Sequence, residues 1–429
     1  MIKIVNYLLS KDRSGAMQSR TNFFRPGTLV ITYLLLLVCY LPQASAQYGH
    51  DDPAWVTTWT TSPSTLPASG PATDILSNQT VRLITQASVS GSYLRIRLSN
   101  VHGDQPLHIG KISIALQAEG AAIVEGSNRT IRFSGQEDII IPIGATVISD
   151  SINFYVPQVG NLALSLYLPQ DSGFITTHAL ANQTSYISSN GDQTDSTRLS
   201  VKEETSGWPF LTAIDVLPSE QTSAIVALGD SITDGWGSTD SANQRWPNQF
   251  AYRLYQDDNI KDFAVINAGI SGNRVTTEAS ARFGQNLQAR FERDVLALSN
   301  VSHIVLLEGI NDIGMSPDRE SPISAEEIIA GYRQIITRAH AGGIKIIGAT
   351  LLPYEGAGYY SEAGNRVRMA VNNFIRESGE FDGVIEFDKA VQDPANPNRI
   401  RADFTEDNLH PNDIGYAAMA AIIDLDLFK

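Results

Sequence analysis

The pattern of apolar residues changes near residue 218, and this change constrains the fold more than any other feature of the 429-residue chain. From about Trp55 to Pro218, short runs alternate apolar and polar residues between turn-forming stretches. Examples are YLRIRLSN (93–100), KISIAL (111–116) and NLALSLYLP (161–169). A period of two is typical of antiparallel strands with one buried face. This part of the chain therefore predicts an all-β, sandwich-like domain.

After the polar stretch LPSEQTS (217–223), continuous apolar runs alternate with helical patterns. The runs are AIVAL (224–228), FAVIN (263–267), HIVLLEG (303–309), IKIIGAT (344–350) and GVIEF (383–387). Helices are expected near 246–256, 286–298, 324–341, 361–378 and 413–426. Repeated strand–helix units predict an α/β domain, a parallel sheet of about five strands with helices on both faces.

The first 46 residues have the layout of a secretory signal peptide. Five basic residues precede the apolar run TLVITYLLLLVCY (28–40), and small residues Ala44 and Ala46 follow it just before Gln47. The alternative is an uncleaved membrane anchor, which a 13-residue run favours less. We therefore expect an exported protein, secreted or periplasmic. The predicted domains are then residues 47–217 and 218–429.

The net charge argues against several classes of partner. The full chain carries −15, and removal of five basic residues and one acidic residue with the signal peptide gives −19. Such a chain repels nucleic acid and anionic membrane surfaces, so neither is an expected partner, and no span is expected after cleavage. The single cysteine, Cys39, lies in the predicted signal peptide. No spacing typical of a metal site occurs, so neither metal nor cofactor is expected.

Four polar clusters follow the predicted strands or precede the last helix. They are GDS (229–231), NAGISGNR (267–274), EGIND (308–312) and DNLHPND (407–413). Ligands of such sheets bind at the carboxyl ends of the strands. Acyl transfer needs a serine, a base, an orienting carboxylate and oxyanion donors. Ser231, His410, Asp407 and Asn311 supply these groups, with Asp403 or Glu406 as alternative partners of the histidine.

At these clusters the chain resembles the SGNH (GDSL-type) hydrolases, serine esterases and acylhydrolases with a flavodoxin-like fold. The resemblance implies that Ser231 is the nucleophile, His410 its base and Asp407 the orienting group. It also implies an oxyanion hole formed by the backbone N–H groups of Ser231 and Gly272 and by the side chain of Asn311. Gly269 is the alternative to Gly272. Ile232 stands where the family name implies leucine.

The expected function is that of a secreted ester hydrolase acting through an acyl-enzyme. The two-part layout resembles secreted esterases related to xylan-degrading acylhydrolases, which favours short acyl groups, such as acetyl, on a carbohydrate. The substrate is then a small-molecule or polysaccharide ester, on which the loop aromatic residues Trp236, Tyr354 and Tyr359 are candidates to stack. Alternatives are a short-chain aryl or lipid esterase, a non-catalytic carbohydrate-binding surface protein, and a phosphodiesterase or glycosidase built on Asp230 and Asp407.

Overall fold

The N-terminal region of the structure consists of antiparallel strands. The computed structural model describes residues 54–65, 76–257, 260, 262–278, 280–315 and 323–429, so the predicted signal peptide lies outside it. The strands of this region are β1 (Val56–Thr60), β2 (Ser64–Thr65), β3 (Gln79–Gln86), β4 (Gly91–Ser99), β5 (Leu107–Ile109), β6 (Lys111–Leu116), β7 (Arg129–Ile131), β8 (Ile139–Ile141), β9 (Thr146–Ile148), β10 (Ile152–Val156), β11 (Asn161–Leu168), β12 (Thr176–His178), β13 (Ser185–Asn190), β14 (Val201–Thr205), β15 (Trp208–Pro209) and β16 (Leu211–Leu217).

Two larger sheets and two small ones make up this region. One has the order β1-β16-β4-β10, with β9 also pairing β4, and the other has the order β14-β13-β3-β11-β6-β7. The small sheets are β15-β12-β2 and β5-β8. Strand β11 pairs along its whole length with β3, and its leucines at 162, 164, 166 and 168 are fully buried. The period of two in the sequence thus corresponds to one face of each strand packing in the core.

The second half of the chain contains a parallel sheet, as its continuous apolar runs predict. Its strands are β17 (Ser223–Gly229), β18 (Phe263–Gly269), β19 (Val301–Leu307), β20 (Lys345–Ala349) and β21 (Gly383–Ile385), in the order β18-β17-β19-β20-β21. This is the flavodoxin-like order 2-1-3-4-5. Residues 224–228 of the interior strand β17 are fully buried because helices cover both faces of the sheet. The fold class expected from the sequence is confirmed.

Helices connect and flank these strands at the expected places. They are α1 (Ser231–Asp234), α2 (Trp246–Gln256), α3 (Leu287–Phe291), α4 (Ile310–Gly314), α5 (Ala325–Ala341), α6 (Glu362–Glu377), α7 (Phe387–Val391) and α8 (Asp413–Ala421). The helix expected at 286–298 is divided, since α3 continues as a π-helical turn over Glu292–Leu296. Ser324 and Glu327 form a capping box at the start of α5.

A hairpin of β22 (Gln392–Asp393) and β23 (Asn396–Ile400) completes the fold. Within the described residues, no helix is long and apolar enough to cross a membrane.

Buried polar contacts join the antiparallel region to the parallel sheet. Asp215 of β16 accepts hydrogen bonds from Arg95 (3.0 Å) and from the hydroxyl of Ser299 (2.9 Å), which precedes β19. This contact lies at the amino edge of the parallel sheet. The described residues from 54 onward belong to one compact unit. The boundary at 217/218 therefore marks a change of sheet type, and its standing as a domain boundary stays a prediction.

Candidate active site

Ser231 lies where the interior strand β17 ends and the short helix α1 begins. Asp230 caps this helix, since its side chain accepts the N–H of Ile232 at 3.0 Å. Gly229 is required by close approach: a Cβ there would lie 2.3 Å from the carbonyl oxygen of Leu307 in the neighbouring strand. The strand can therefore pass tightly against β19 before it presents the serine at the carboxyl edge of the sheet.

His410 is held by a turn that Asp407 builds. One carboxylate oxygen of Asp407 accepts the backbone N–H groups of Leu409 (2.9 Å) and His410 (2.8 Å). Asn408 between them has a φ of 63°, a left-handed conformation that asparagine tolerates. The hydroxyl of Thr405 donates to the carbonyl of His410 at 2.8 Å. The spacing of three residues thus places the carboxylate and the imidazole on one side of the turn.

The structure brings Ser231, His410 and Asp407 into one chain of hydrogen bonds. Ser231 Oγ lies 2.9 Å from His410 Nε2, and His410 Nδ1 lies 2.6 Å from Asp407 Oδ2. Burial raises the pKa of Asp407, but hydrogen bonds from the ring and backbone of His410 outweigh this and hold that pKa well below its usual value. An ionised Asp407 accepts a hydrogen bond from Nδ1–H, which leaves Nε2 without hydrogen as the acceptor for the serine hydroxyl.

Hydrogen-bond donors converge on the same side of Ser231. Gly272 and Asn311 line the cavity that also contains Ser231 and His410. Asn311 is 2% exposed, donates to the carbonyl of Asn273 at 3.2 Å and accepts from the hydroxyl of Tyr359 at 3.3 Å. Its side-chain amide has a second N–H beyond the one given to Asn273. The arrangement is therefore able to bind a developing oxyanion.

The structure distinguishes Gly272 from Gly269. Gly269 ends β18, and its N–H donates to the side chain of Asn267 at 2.9 Å. Gly272 has a φ of 80°, and a Cβ there would lie 2.3 Å from the ring of Phe283. Within the described residues, the N–H of Gly272 donates to no protein acceptor. Of the two glycines, Gly272 is the one whose amide is available to a ligand.

A small, mostly apolar cavity of about 200 Å³ opens beside Ser231. Its walls include Leu180 from the antiparallel region and, from the parallel half, Phe283, Met315 and Leu409. A second cavity of about 200 Å³ lies on the other side of His410, where Glu406, Asp407 and Asn412 line it. Trp236 borders both cavities. The site thus has two compartments that meet at the imidazole.

The three candidate aromatic residues occupy different places. Trp236 is 42% exposed, and its ring centroid lies 6.0 Å from that of His410. Tyr359 lines the cavity beside Ser231 and donates its hydroxyl to Asn311. Tyr354 differs from the expectation: it is fully buried, behind Tyr359 and Tyr360, and lines neither cavity. Its ring packs in the core because the loop after β20 folds inward.

The other candidate carboxylates near His410 do not contact its ring. Asp403 pairs with Arg401 at 2.7 Å, and Glu406 faces the second cavity. Asp312 accepts the backbone N–H groups of Val275 (2.8 Å) and Thr276 (3.0 Å), which fixes the segment after the Gly272 loop. Within the part of the chain that the structure describes, no group of three or more metal-binding side chains converges.

Two buried acids lie beneath the site. Burial raises the pKa of Asp230 to about 7 and that of Glu308 to about 8, and the charge of Arg290 opposes both shifts. Arg290 lies 3.3 Å from Glu308 and also donates to the carbonyl of Gly229 at 3.0 Å. Near neutral pH, Glu308 is mostly protonated and Asp230 is partly protonated, so less negative charge accumulates under the serine than two ionised acids would give.

Comparison with models of protein families gives a match in the second half of the chain. Residues 227–418 match the model of the GDSL-like lipase/acylhydrolase family. This part of the chain is a GDSL-type acylhydrolase domain. The match supports the activity of a carboxylic ester hydrolase. No curated protein matches the chain.

Several solved structures are similar to the acylhydrolase domain. A putative acylhydrolase from Bacteroides fragilis is 20% identical, covers 49% of this chain and 88% of its own, and has a TM-score of 0.36. An acetyl xylan esterase is 25% identical over 46% of this chain and 96% of its own, with a TM-score of 0.37. An acetylxylan esterase from Geobacillus stearothermophilus is 22% identical over 47% of this chain and 91% of its own, with a TM-score of 0.36.

Sequence reasoning missed the residues that the antiparallel region and the core contribute. Leu180 reaches the cavity from the segment after β12, and Arg290 donates from the last turn of α3 to the end of β18 and to the glycine loop that follows it. Neither has a spacing relative to Ser231 that a motif would reveal. The one signal for Arg290 in the sequence is that a charged residue lies among the apolar residues of a predicted helix.

The raised pKa of Glu308 predicts a pH-dependent stability. The unfolded chain releases this proton near pH 4.5, whereas the native state keeps it until about pH 8. The native state therefore binds more protons in this window, and stability falls as pH rises through it, by at most about 1.4 kcal/mol per pH unit for this group. Relative to wild type, Glu308→Gln should gain stability between pH 5 and pH 8. Urea unfolding at the two pH values measures the difference.

The matched control is Glu380→Gln. Glu380 is paired with Arg333 at the surface, and the hydrogen bond from that arginine lowers the pKa of Glu380. Its ionised form therefore stabilises the native state, so that replacing Glu380 should lower stability where replacing Glu308 raises it. A stability difference between Glu308→Gln and wild type that is equal at pH 5 and pH 8 would contradict the assignment of the buried acid.

Proposed function

We propose that the acylhydrolase domain is a serine esterase in which Ser231 attacks, His410 acts as base and Asp407 orients the imidazole. The observation that carries this proposal is the hydrogen-bond chain from Ser231 Oγ to His410 Nε2 (2.9 Å) and from His410 Nδ1 to Asp407 Oδ2 (2.6 Å). Both distances are within the range in which a base can take the proton of a nucleophile.

The proposed reaction proceeds in two steps. Ser231 Oγ bonds to the ester carbonyl carbon while its proton moves to His410 Nε2, which then gives that proton to the departing alkoxide. The ester C–O bond breaks, the alcohol leaves and an acyl-enzyme remains. His410 next takes a proton from water, whose oxygen bonds to the acyl carbon. The bond between that carbon and Ser231 Oγ then breaks, His410 returns the proton to Oγ, and the carboxylic acid leaves. Asp407 stabilises the imidazolium that forms in each step.

The proposed oxyanion hole is made of three donors. They are the backbone N–H groups of Ser231 and Gly272 and the side-chain amide of Asn311. Asn311 supports this role because both of its amide atoms already have partners, Asn273 and Tyr359, that fix the plane of the amide. Donors held in place before the reaction stabilise the transition state without a cost of reorganisation.

The proposed substrate is an ester of a short acyl group, such as acetyl, on a carbohydrate. The cavity beside Ser231 has a volume of about 200 Å³, which is below the range of sites for drug-sized ligands and favours a short chain. Trp236 presents an exposed ring between the two cavities, and its carbonyl accepts the hydroxyl of buried Tyr416 at 2.7 Å. A fixed, exposed indole beside the base is suited to stack on a sugar ring.

A short-chain aryl esterase is the second candidate. The same apolar walls accept a small acyl group whatever alcohol it is attached to, and Trp236 is able to stack on an aromatic leaving group as well as on a sugar. The relative kcat/KM for acetylated xylan and for an aryl acetate distinguishes the two substrate classes.

We also propose that the protein is exported, with cleavage before Gln47. The basic residues, the apolar run and the small residues before this position support the proposal. Expression of the full chain in a secreting host should yield extracellular or periplasmic protein whose N-terminal sequence begins at residue 47. A mature protein that retains residues 28–40 would contradict cleavage and favour an anchor.

The oxyanion role of Asn311 has a measurable consequence. Acetate release from acetylated xylan should fall by about 10³-fold or more in Ser231→Ala, and kcat should fall by about 10²–10³-fold in Asn311→Ala, since an oxyanion donor of this kind is removed. Asn161→Ala, at an exposed position on β11, is the control and should retain wild-type kcat. A loss below threefold in folded Asn311→Ala would remove Asn311 from the oxyanion hole.

The role of Trp236 is tested by a comparison of substrates. Trp236→Ala should lower kcat/KM for acetylated xylo-oligosaccharides by about three- to tenfold, the effect of losing one aromatic contact. For vinyl acetate, whose alcohol part has no ring, kcat/KM should stay within twofold of wild type, as should both values in the exposed-aromatic control Tyr252→Ala. Equal losses on both esters would show that Trp236 shapes the catalytic centre and does not bind sugar.

A further inference from the structure

A segment of the antiparallel region enters the active site. It runs from His178, the last residue of β12, to Asn182. Leu180 lines the cavity beside Ser231, and the side-chain amide of Asn182 donates to the carbonyl of Gly235, just after the helix that begins at Ser231. The carbonyl of Ala181 accepts a hydrogen bond from Arg245. The antiparallel region thus forms part of the wall and of the supporting structure of the site.

His178 is buried with both ring nitrogens facing acceptors. Nδ1 lies 2.9 Å from the carbonyl oxygen of Ser62, and Nε2 lies 2.9 Å from Asp234 Oδ1. A carbonyl and a carboxylate accept but do not donate, so both nitrogens carry hydrogen. Burial lowers the pKa of His178, but the charge of Asp234 and the two hydrogen bonds raise it above its usual value, against the opposing charge of Arg245. The ring is therefore an imidazolium that neutralises a buried carboxylate.

Asp234 uses its second oxygen on the loop that contains Gly272. Asp234 Oδ2 accepts the backbone N–H of Ser271 at 3.0 Å and its hydroxyl at 2.7 Å. Ser271 directly precedes Gly272, whose N–H is a proposed oxyanion donor. Asp234 is 4% exposed, so an ionised carboxylate there requires a cationic partner. The contact therefore runs from the antiparallel region, through one carboxylate, to the backbone beside the oxyanion donor.

We propose that His178 is a positioning residue for the oxyanion loop Ser271–Asn273 and acts on it through Asp234. This inference rests on the proposed serine mechanism and on the role of the Gly272 N–H in it. It gives the antiparallel region a part in catalysis, since the region supplies the cation that holds Asp234 in place. Without that cation, Asp234 loses the partner that fixes its side chain, and the Gly272 amide loses its orientation toward the carbonyl oxygen of the substrate.

Two substitutions at position 178 separate this role from general packing. The amide nitrogen of glutamine reaches the place of Nε2 and still donates to Asp234, whereas that of asparagine reaches only the place of Nδ1 and donates to Ser62. His178→Gln should keep kcat within about fivefold of wild type. His178→Asn should lower kcat by about 10–100-fold with KM within threefold, since a misplaced oxyanion donor acts on the transition state alone.

Asp234 provides a second, independent pair of variants. In Asp234→Asn the amide oxygen still accepts from Ser271, and the amide N–H donates to a neutral His178 whose Nε2 has become an acceptor. This variant should retain most of the wild-type kcat. Asp234→Ala removes both contacts and should resemble His178→Asn. We therefore expect kcat to stay near the wild-type value in His178→Gln and Asp234→Asn, the two variants that preserve the hydrogen bonds.

A boronic acid reports on the oxyanion hole apart from turnover. With phenylboronic acid, boron bonds to Ser231 Oγ, the hydroxyl proton moves to His410, and a boron-bound oxygen of the tetrahedral anion occupies the oxyanion hole. The Kd for phenylboronic acid should rise in His178→Asn by about the factor by which kcat falls. The matched control is Asp215→Asn, which alters an equally buried bridge between the same two regions at the opposite edge of the sheet.

The outcomes are distinct for the two proposals. A fully active Ser231→Ala variant, together with a wild-type enzyme that no fluorophosphonate labels, would overturn the serine mechanism and this inference together. If Ser231 is essential but folded His178→Asn has wild-type kcat, only the inference fails. It also fails if kcat falls in His178→Asn while the Kd of that variant for phenylboronic acid is unchanged. It fails as well if Asp215→Asn lowers kcat as much as His178→Asn does when the two variants lose the same amount of unfolding midpoint.

Discussion

The buried guanidinium of Arg290 is the contact on which the carboxyl edge of the parallel sheet depends. It donates to the carbonyls of Gly229 (3.0 Å) and Ala268 (2.8 Å), at the ends of two neighbouring strands, and to the side chain of Asn273 (2.7 Å). Each of these carbonyls also accepts one further hydrogen bond, so neither is left unpaired, which would be costly for a buried carbonyl. A single cation therefore joins the two strand ends from which the serine and the glycine loop begin. These hydrogen bonds hold in place the starts of the two loops that follow β17 and β18.

The two regions of the chain are joined by buried charge at both edges of the parallel sheet. At the amino edge, Asp215 forms ion pairs with two arginines and accepts a hydrogen bond from Ser299. At the carboxyl edge, His178 forms an ion pair with Asp234. Each bridge removes a carboxylate from water, which is favourable only when the partner is in place. Separation of the regions would leave Asp215 and Asp234 without their partners. Buried polar contacts at both edges thus connect the regions on either side of the predicted boundary at 217/218.

Much of the fold and of the candidate site followed from the sequence because local patterns determine them. The continuous apolar runs could be buried only as central parallel strands, and the four polar clusters had to meet because parallel strands end at one edge. The turn from Asp407 to His410 is local, so its spacing was informative. Leu180 and His178 reach the site through the tertiary path of the antiparallel region, which no period or spacing encodes. Tyr354 was misleading for a related reason, since an aromatic residue in a loop has the same sequence signature whether it faces inward or outward.

The acids around Ser231 differ in charge because they differ in partners. Asp407 is half-exposed and receives a ring N–H and two backbone N–H groups, so it stays ionised and can stabilise an imidazolium. Glu308 is fully buried, and one of its oxygens has no hydrogen-bond partner within the described residues, so burial favours its protonated form. If Glu308 were as acidic as Asp407, its charge would lie beneath the serine and oppose the negative charge that develops on the substrate oxygen. Stabilisation of an oxyanion is thus favoured by an ionised Asp407 behind the histidine and a protonated Glu308 below the nucleophile.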